Sequence, residues 1–351
     1  MKWLIDYDGG NLMGEKTMVS SKDVAKYAGV SQTTVSRVLN TPESVKEKTR
    51  QKVLSAIEAL NYHPNAIARS LVSNSTKSIA LVSGPLHNPF FADSVTAIVQ
   101  FARQRGYQVA VHFEDFGSNV RVFEGLAQSK VDGMILSSIY RDDPVHAKLS
   151  RFGVPFVYFN RKPHEESHYI EIDNEQGGRL GGEHLLALGH RNIAWIGGPL
   201  TMSTFAGRFK GFQQVMKENG YVLNEQWVFE TDTSVEAIRE TITGLFKKPD
   251  KPSALFAATD SIAIYALDVL QELGYRIPED ISVMGIDNVT WSRHASFNLT
   301  TVSTRATKNI GELGIEALFQ LMEKPQTTWI QKTLPVQLIE RGTTAAFKKD
   351  D

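Results

Sequence analysis

The chain of 351 residues contains no cysteine. That excludes disulfide bridges and every thiolate-ligated metal centre. It has no apolar run approaching the about 20 residues that span a bilayer. In Met1-Lys-Trp-Leu-Ile-Asp-Tyr-Asp8 acids interrupt the stretch where a secretory signal needs an unbroken apolar core. A cytoplasmic protein without a membrane partner is therefore expected. No Gly-x-Ser-x-Gly occurs, and no serine, histidine and acid are recognisable as a nucleophile set. His184 and His190 lack a third ligand at metal spacing and read as surface or cap histidines. Gly177-Gly-Arg-Leu-Gly-Gly182 lies inside a helical pattern and does not directly follow a strand, so it is not read as a dinucleotide loop. The sequence thus points to no enzyme, no cofactor and no metal.

Strong charge of either sign is also lacking, since the net charge is −1. The balance is uneven along the chain. Residues 18–76 carry eight Lys or Arg against Asp23, Glu43, Glu47 and Glu58, a surplus of +4; with −1 on residues 1–17, this leaves residues 77–351 at −4. A small basic head on a mildly acidic body suits a nucleic-acid reader whose body has another task. The length and an apolar content of 42% allow two or three ordinary globular domains.

Within the head, Ser21-Lys-Asp-Val-Ala-Lys-Tyr-Ala28 predicts a short helix with Val24, Ala25 and Ala28 turned inward. Gly29 stands where a left-handed helix end is wanted, and Ser31 where the next helix needs a cap. Wound at 100° per residue, Ser31-Gln-Thr-Thr-Val-Ser-Arg-Val-Leu-Asn40 puts Val35, Val38 and Leu39 on one side. Thr33, Ser36, Arg37 and Asn40 fall on the other. Helix, glycine turn and capped helix with a polar outer face form the helix-turn-helix pattern, whose second helix enters the DNA major groove. Pro42 ends that helix, and a third is expected from about Lys46 to Leu60.

Residues 1–17 do not read as part of the fold; the expectation is that translation starts at Met18 and the leader is upstream sequence. The domains expected are then 18–63 as the DNA-binding head, 64–76 as a hinge helix with linker, 77–344 as the body, and 345–351 as a tail. From Ile79 onward short apolar runs alternate with amphipathic helices, and midway the pattern starts afresh. This predicts two α/β lobes with parallel sheets, N-lobe about 77–173 and 303–331, C-lobe about 174–302 and 332–344, with a cleft at the strand C-termini.

These residues carry a resemblance. Asp23-Val-Ala-Lys-Tyr-Ala-Gly-Val-Ser31, Thr34-Val-Ser-Arg-Val-Leu-Asn40, Asn61-Tyr-His-Pro-Asn65, Gly182-Glu-His-Leu-Leu-Ala-Leu-Gly-His190, Asp280-Ile-Ser-Val-Met-Gly-Ile-Asp287 and Leu299-Thr-Thr-Val302 are similar to the LacI/GalR transcription regulators. The resemblance runs from Ser20 to about Thr343. It implies an all-α helix-turn-helix head on a two-lobed periplasmic-binding-protein-like core. It also implies a homodimer on a pseudo-palindromic double-stranded operator, with DNA affinity set by a small molecule in the cleft. By the same resemblance Gln32, Thr33 and Arg37 match base-reading positions, and Thr34, Ser36 and Asn40 match phosphate contacts. Leu71 matches a minor-groove wedge on the hinge helix, beside Asn65 and Ala68. Arg208 and Asp287 match effector contacts, with Asp260, Asn160 and Thr204 as further candidates and Phe90 and Phe91 where a stacking aromatic lies. Asn160 stands where several members have Asp, and the C-terminus lacks the leucine heptads of the tetrameric members.

An arginine, carboxylates, an amide and an aromatic platform suit a sugar-like effector. A purine-like corepressor or a protein partner is the alternative within the class; a solute-binding protein or an α/β enzyme is the alternative outside it. The repressor reading is favoured by the basic head and the missing signal core.

Overall fold

The structure, a computed structural model, describes residues 19–63, 75–113, 122–123, 125–126, 129–324 and 328–348. The leader, the hinge positions Asn65, Ala68 and Leu71 and residues 349–351 lie outside them. The chain divides into two compact units between Thr76 and Lys77.

In the first unit α1 (Ser21–Ala28), α2 (Gln32–Asn40) and α3 (Glu47–Ala59) enclose Val24, Ala25, Val35, Val38, Val53 and Ala56. Ser20 and Asp23 form a reciprocal capping box on α1, satisfying two backbone amides that the first turn leaves unpaired. Gly29 takes φ +66°, where no side chain sits easily, and turns the chain into α2. The Ser31 hydroxyl accepts from the Thr34 amide at 3.1 Å and caps that helix.

The second unit holds two six-stranded sheets. The first is ordered β11-β5-β4-β3-β1-β2, from β1 (Ser78–Ser83), β2 (Gln108–Phe113), β3 (Gly133–Leu136), β4 (Phe156–Phe159), β5 (Tyr169–Ile172) and β11 (Gln331–Leu334). The second is ordered β12-β10-β9-β8-β6-β7, from β6 (Ile193–Gly197), β7 (Val228–Glu230), β8 (Ala254–Ala257), β9 (Ser282–Ile286), β10 (Thr300–Thr304) and β12 (Val336–Ile339). Among the described residues every pairing is parallel except β10 with β12. Along β1, Ile79 and Leu81 enter one apolar cluster and Ala80 and Val82 another. This alternation is the signature of a strand covered on both faces, and it explains why the strand reads as one apolar run. The expected fold class is borne out.

Helices α4 (Pro89–Gln104) and α10 (Ile310–Glu323) pack together on the first lobe, and the helical turn α5 (His146–Leu149) buries Leu149 in the cluster with Ala80 and Val82 of β1. The second lobe carries α6 (Asn174–Ala187), α7 (Ser203–Glu218), α8 (Val235–Phe246) and α9 (Asp260–Glu272). The chain crosses between lobes three times, at Asp173, between β10 and α10, and at Pro335. The glycine run of α6 belongs to packing. A Cβ on Gly178 would land on the carbonyl of Arg208, and one on Gly211 on the carbonyl of Glu175, so α6 and α7 meet backbone to backbone. That contact fixes the helix bearing Arg208.

Several expectations need correction. β11 pairs with β5, so residues 332–334 sit in the first lobe, and Ser303 and Thr304 pair in the second. His184 and His190 are buried, not surface groups. His190 bonds Ser253 at 2.9 Å, Ser282 at 3.0 Å and the carbonyl of Ala345 at 3.1 Å, while His184 bonds Thr344 at 3.0 Å. The Phe347 amide donates to the carbonyl of Leu188, so the start of the expected tail is a strap on the second lobe.

Candidate functional site

The outer face of α2 presents Gln32, Thr33, Ser36, Arg37 and Asn40 exposed, with Thr34 half-buried. Gln32 is tied to Ser21 at 2.9 Å, Thr34 to Ser31 at 2.8 Å, and Asn40 to Ser36 at 3.2 Å. The carbonyl of Arg37 accepts from the Thr41 amide at 2.8 Å, but its guanidinium makes no hydrogen bond or ion pair among the described residues. A guanidinium standing off a rigid capped helix is suited to bidentate contact with guanine, and the neighbouring hydroxyls and amides to phosphate oxygens.

In the second unit a cleft of about 100 Å³ opens between the lobes, where the C-terminal ends of both sheets converge. From the first lobe come Phe90 and Phe91 at the start of α4, their rings edge to face at 5.4 Å. Asn88 caps that helix, its side chain accepting from the Phe90 amide at 3.0 Å. Asn160 and Arg161 follow β4. The second lobe brings Thr204 and Arg208 on α7, and Asp287 after β9.

Arg208 is 1% exposed and has three acceptors: Asn174 Oδ1 at 3.0 Å from Nε, the Ala258 carbonyl at 2.6 Å and Asp287 Oδ1 at 2.7 Å. Burial raises the pKa of the Asp287 carboxyl, against the pull of the Arg208 guanidinium. Three lining residues hold positive φ: Asn160 at +67°, Thr233 at +65° and Asp287 at +133°. Backbone strain of this kind persists where surrounding contacts over-determine it. The set offers fixed donors, carboxylate acceptors and aromatic faces around one small volume.

Six of the seven expected effector residues line this cleft: Phe90, Phe91, Asn160, Thr204, Arg208 and Asp287. Asp260 does not. It opens α9, fully buried, and accepts from Thr301 Oγ1 and from the Val289 amide at 3.0 Å. Burial first, and then the Asp287 charge, push its pKa up to about 7. Its neighbours Thr259 and Ser261 face the cleft instead. Thr204 is partly spent, since its hydroxyl donates to the carbonyl of Asn160 at 2.9 Å.

Sequence reasoning missed Arg161, Tyr140, His87, Asp232, Thr233, Thr259 and Ser261. Each follows the end of a parallel strand within four residues, the place where open α/β sheets bind ligands. Applying that rule to every strand would have found them.

Residues 21–65 match the family described as bacterial regulatory proteins, lacI family, and residues 183–344 match a periplasmic binding protein-like domain. The HTH-type transcriptional repressor PurR of Mannheimia succiniciproducens is 36% identical over 307 residues, 86% of this chain and 92% of that protein. The chain belongs to the LacI family. Among solved structures, the Lac repressor bound to ONPG in its repressed state is 31% identical with a TM-score of 0.81, covering 93% of this chain and 100% of that one. The transcriptional regulator CelR–cellobiose complex is 32% identical with a TM-score of 0.68, covering 93% and 99%. Like these LacI-family relatives the chain is a DNA-binding transcriptional regulator, a repressor controlled by a small-molecule effector. No helix among the described residues is long and apolar enough to cross a membrane.

Proposed function

We propose that the effector is a sugar or sugar derivative held in the interlobe cleft, and that it resets the affinity of a cytoplasmic, non-enzymatic homodimer for a pseudo-palindromic operator. The observation that carries this reading is the buried Arg208–Asp287 pair facing the rings of Phe90 and Phe91 across one small cavity. Charged donors and acceptors order the hydroxyls of a polyol, while a ring face takes its C–H side. The cellobiose and ONPG named with the two related structures support the same ligand class. In the head, Gln32, Thr33 and Arg37 read bases, and Thr34, Ser36 and Asn40 hold phosphates. Asn65, Ala68 and Leu71 would bend the site through the minor groove. The effector acts only through its differential affinity for the two lobe arrangements.

A purine-like corepressor is the second reading, favoured by the number of aromatic rings on the wall (Phe90, Phe91, Tyr140, Phe205) and by the similarity to proteins named PurR. The test is a thermal-shift screen of the full chain against mono- and disaccharides, sugar phosphates and purines. A sugar hit lost in Asp232→Ala supports the proposal, and stabilisation by purines alone replaces it with the second reading.

A further inference from the structure

The turn that follows β9 carries the ligand-facing Asp287 and is pinned at four successive residues to four different partners. Asp287 pairs with Arg208 on α7 at 2.7 Å. Asn288 accepts from Arg341 at 2.6 Å. The Val289 amide donates to Asp260 at 3.0 Å. The amide and hydroxyl of Thr290 both donate to one oxygen of Asp93, at 2.9 and 3.0 Å. The first three partners belong to the second lobe. Asp93 lies on α4 of the first, 197 residues away in sequence.

The cleft continues past Phe90, Asn160 and Asp287 into a second cavity of about 460 Å³, and Asp93 and Thr290 both line it. We propose that Asp93 and Thr290 form an interlobe latch, and that the pinned turn 287–290 makes the latch follow the position of Asp287. The turn has little slack. Asp287 and Asn288 hold φ of +133° and +55°, and each flank is bonded. A displacement at its first residue is therefore carried to its last instead of being absorbed. Two donors converging on one carboxylate oxygen give the latch the strength of charge-assisted bonds. Asp93 and Thr290 are thus positioning residues for lobe closure, and their role is independent of which ligand fills the cleft.

Because the chain has no cysteine, Lys148→Cys and Lys247→Cys, at exposed positions on the two lobes, create a unique spin-label pair in the full chain. Pulsed dipolar spectroscopy, with the labelled chain diluted in unlabelled chain, then reads the interlobe distance without any ligand. Asp93→Ala should shift the closed-to-open ratio by about tenfold, the scale of one hydrogen bond to a charged group. Adding Thr290→Val should broaden the distribution no further, since both changes break one interaction. Asn288→Gly, which frees the turn while leaving Asp93 and Thr290 in place, should open the lobes as well. A native distribution in Asp93→Ala overturns the latch, as does full additivity with Thr290→Val. A native distribution in Asn288→Gly overturns the relay. The sugar reading fails separately, in the thermal-shift screen.

Discussion

Replacing Arg208 by Met keeps most of the side-chain volume and removes the guanidinium. Three acceptors then lose their donor: Asn174 Oδ1, the Ala258 carbonyl and Asp287 Oδ1. Asp287 is left as a carboxylate with a side chain 4% exposed and no counter-charge at hand. Breaking a buried ion pair from one side costs roughly 3–5 kcal/mol. At roughly 2–3 °C per kcal/mol for a unit of this size, the unfolding midpoint should fall by roughly 6–15 °C. The loss should also depend on pH. In the variant the Asp287 carboxyl titrates further above its unfolded value of about 4. The native state then binds the proton more tightly than the unfolded chain. Stability is therefore fully present at low pH and is lost as pH rises through the raised pKa. Thermal unfolding followed by circular dichroism at pH 5 and pH 8 should show a smaller penalty at pH 5. A penalty below about 1 kcal/mol, or one equal at both pH values, would refute the view that Asp287 depends on Arg208.

Arg37→Ala should reduce the preference for selected operator over random duplex by about 1–3 kcal/mol, with nonspecific affinity nearly unchanged; a filter-binding ratio equal to that of the native chain would sink the assigned face. Burial lowers the pKa of His184 and His190, so the unfolded chain takes up protons the folded one refuses below about pH 6.5, and stability falls with pH there. The midpoint should drop between pH 7.5 and 5.5, and His190→Gln should shrink that drop; an unchanged pH response would dismiss the histidines as its source. Gly178→Ala should destabilise by about 1–3 kcal/mol through overpacking at the α6–α7 crossing, and a native-like midpoint in chemical denaturation would show that the two helices can separate at little cost.

The helix-turn-helix was legible because its signals are local. Gly29 and Ser31 each act within four positions of themselves in sequence, whereas the Ser20–Asp23 capping box was not read. The body was legible where a strand is buried on both faces, since Ile79-Ala-Leu-Val82 has no polar residue to confuse the reading. Strand β5 and the edge strand β11 escaped. β11 is Gln-Lys-Thr-Leu with its first three residues exposed, and β5 holds Glu171, whose charge is met by Lys162 from outside the strand. No short window of sequence contains both β5 and β11, which pair from Tyr169 with Gln331 to Ile172 with Leu334. In the cleft, Arg208 and Asp287 were found through resemblance. Asp260 shares a strand end with Thr259 and differs only in which way its side chain turns, a choice made by Thr301 and Val289 far along the chain. His190 misled for the same reason, since Ser253, Ser282 and Ala345 reach it from distant positions.

The three crossings between the lobes also bear on the order in which the molecule is made. The first lobe lacks β11 until Leu334 has been synthesised, and the second lacks β12 until Ile339 has. Neither lobe is a contiguous piece that closes its sheet as it leaves the ribosome. The three helices of the head are complete once Ala59 is added. During translation the DNA-reading unit is therefore finished well before the unit that governs it, and a ribosome stalling between the head and the last two strands leaves a reader without its control.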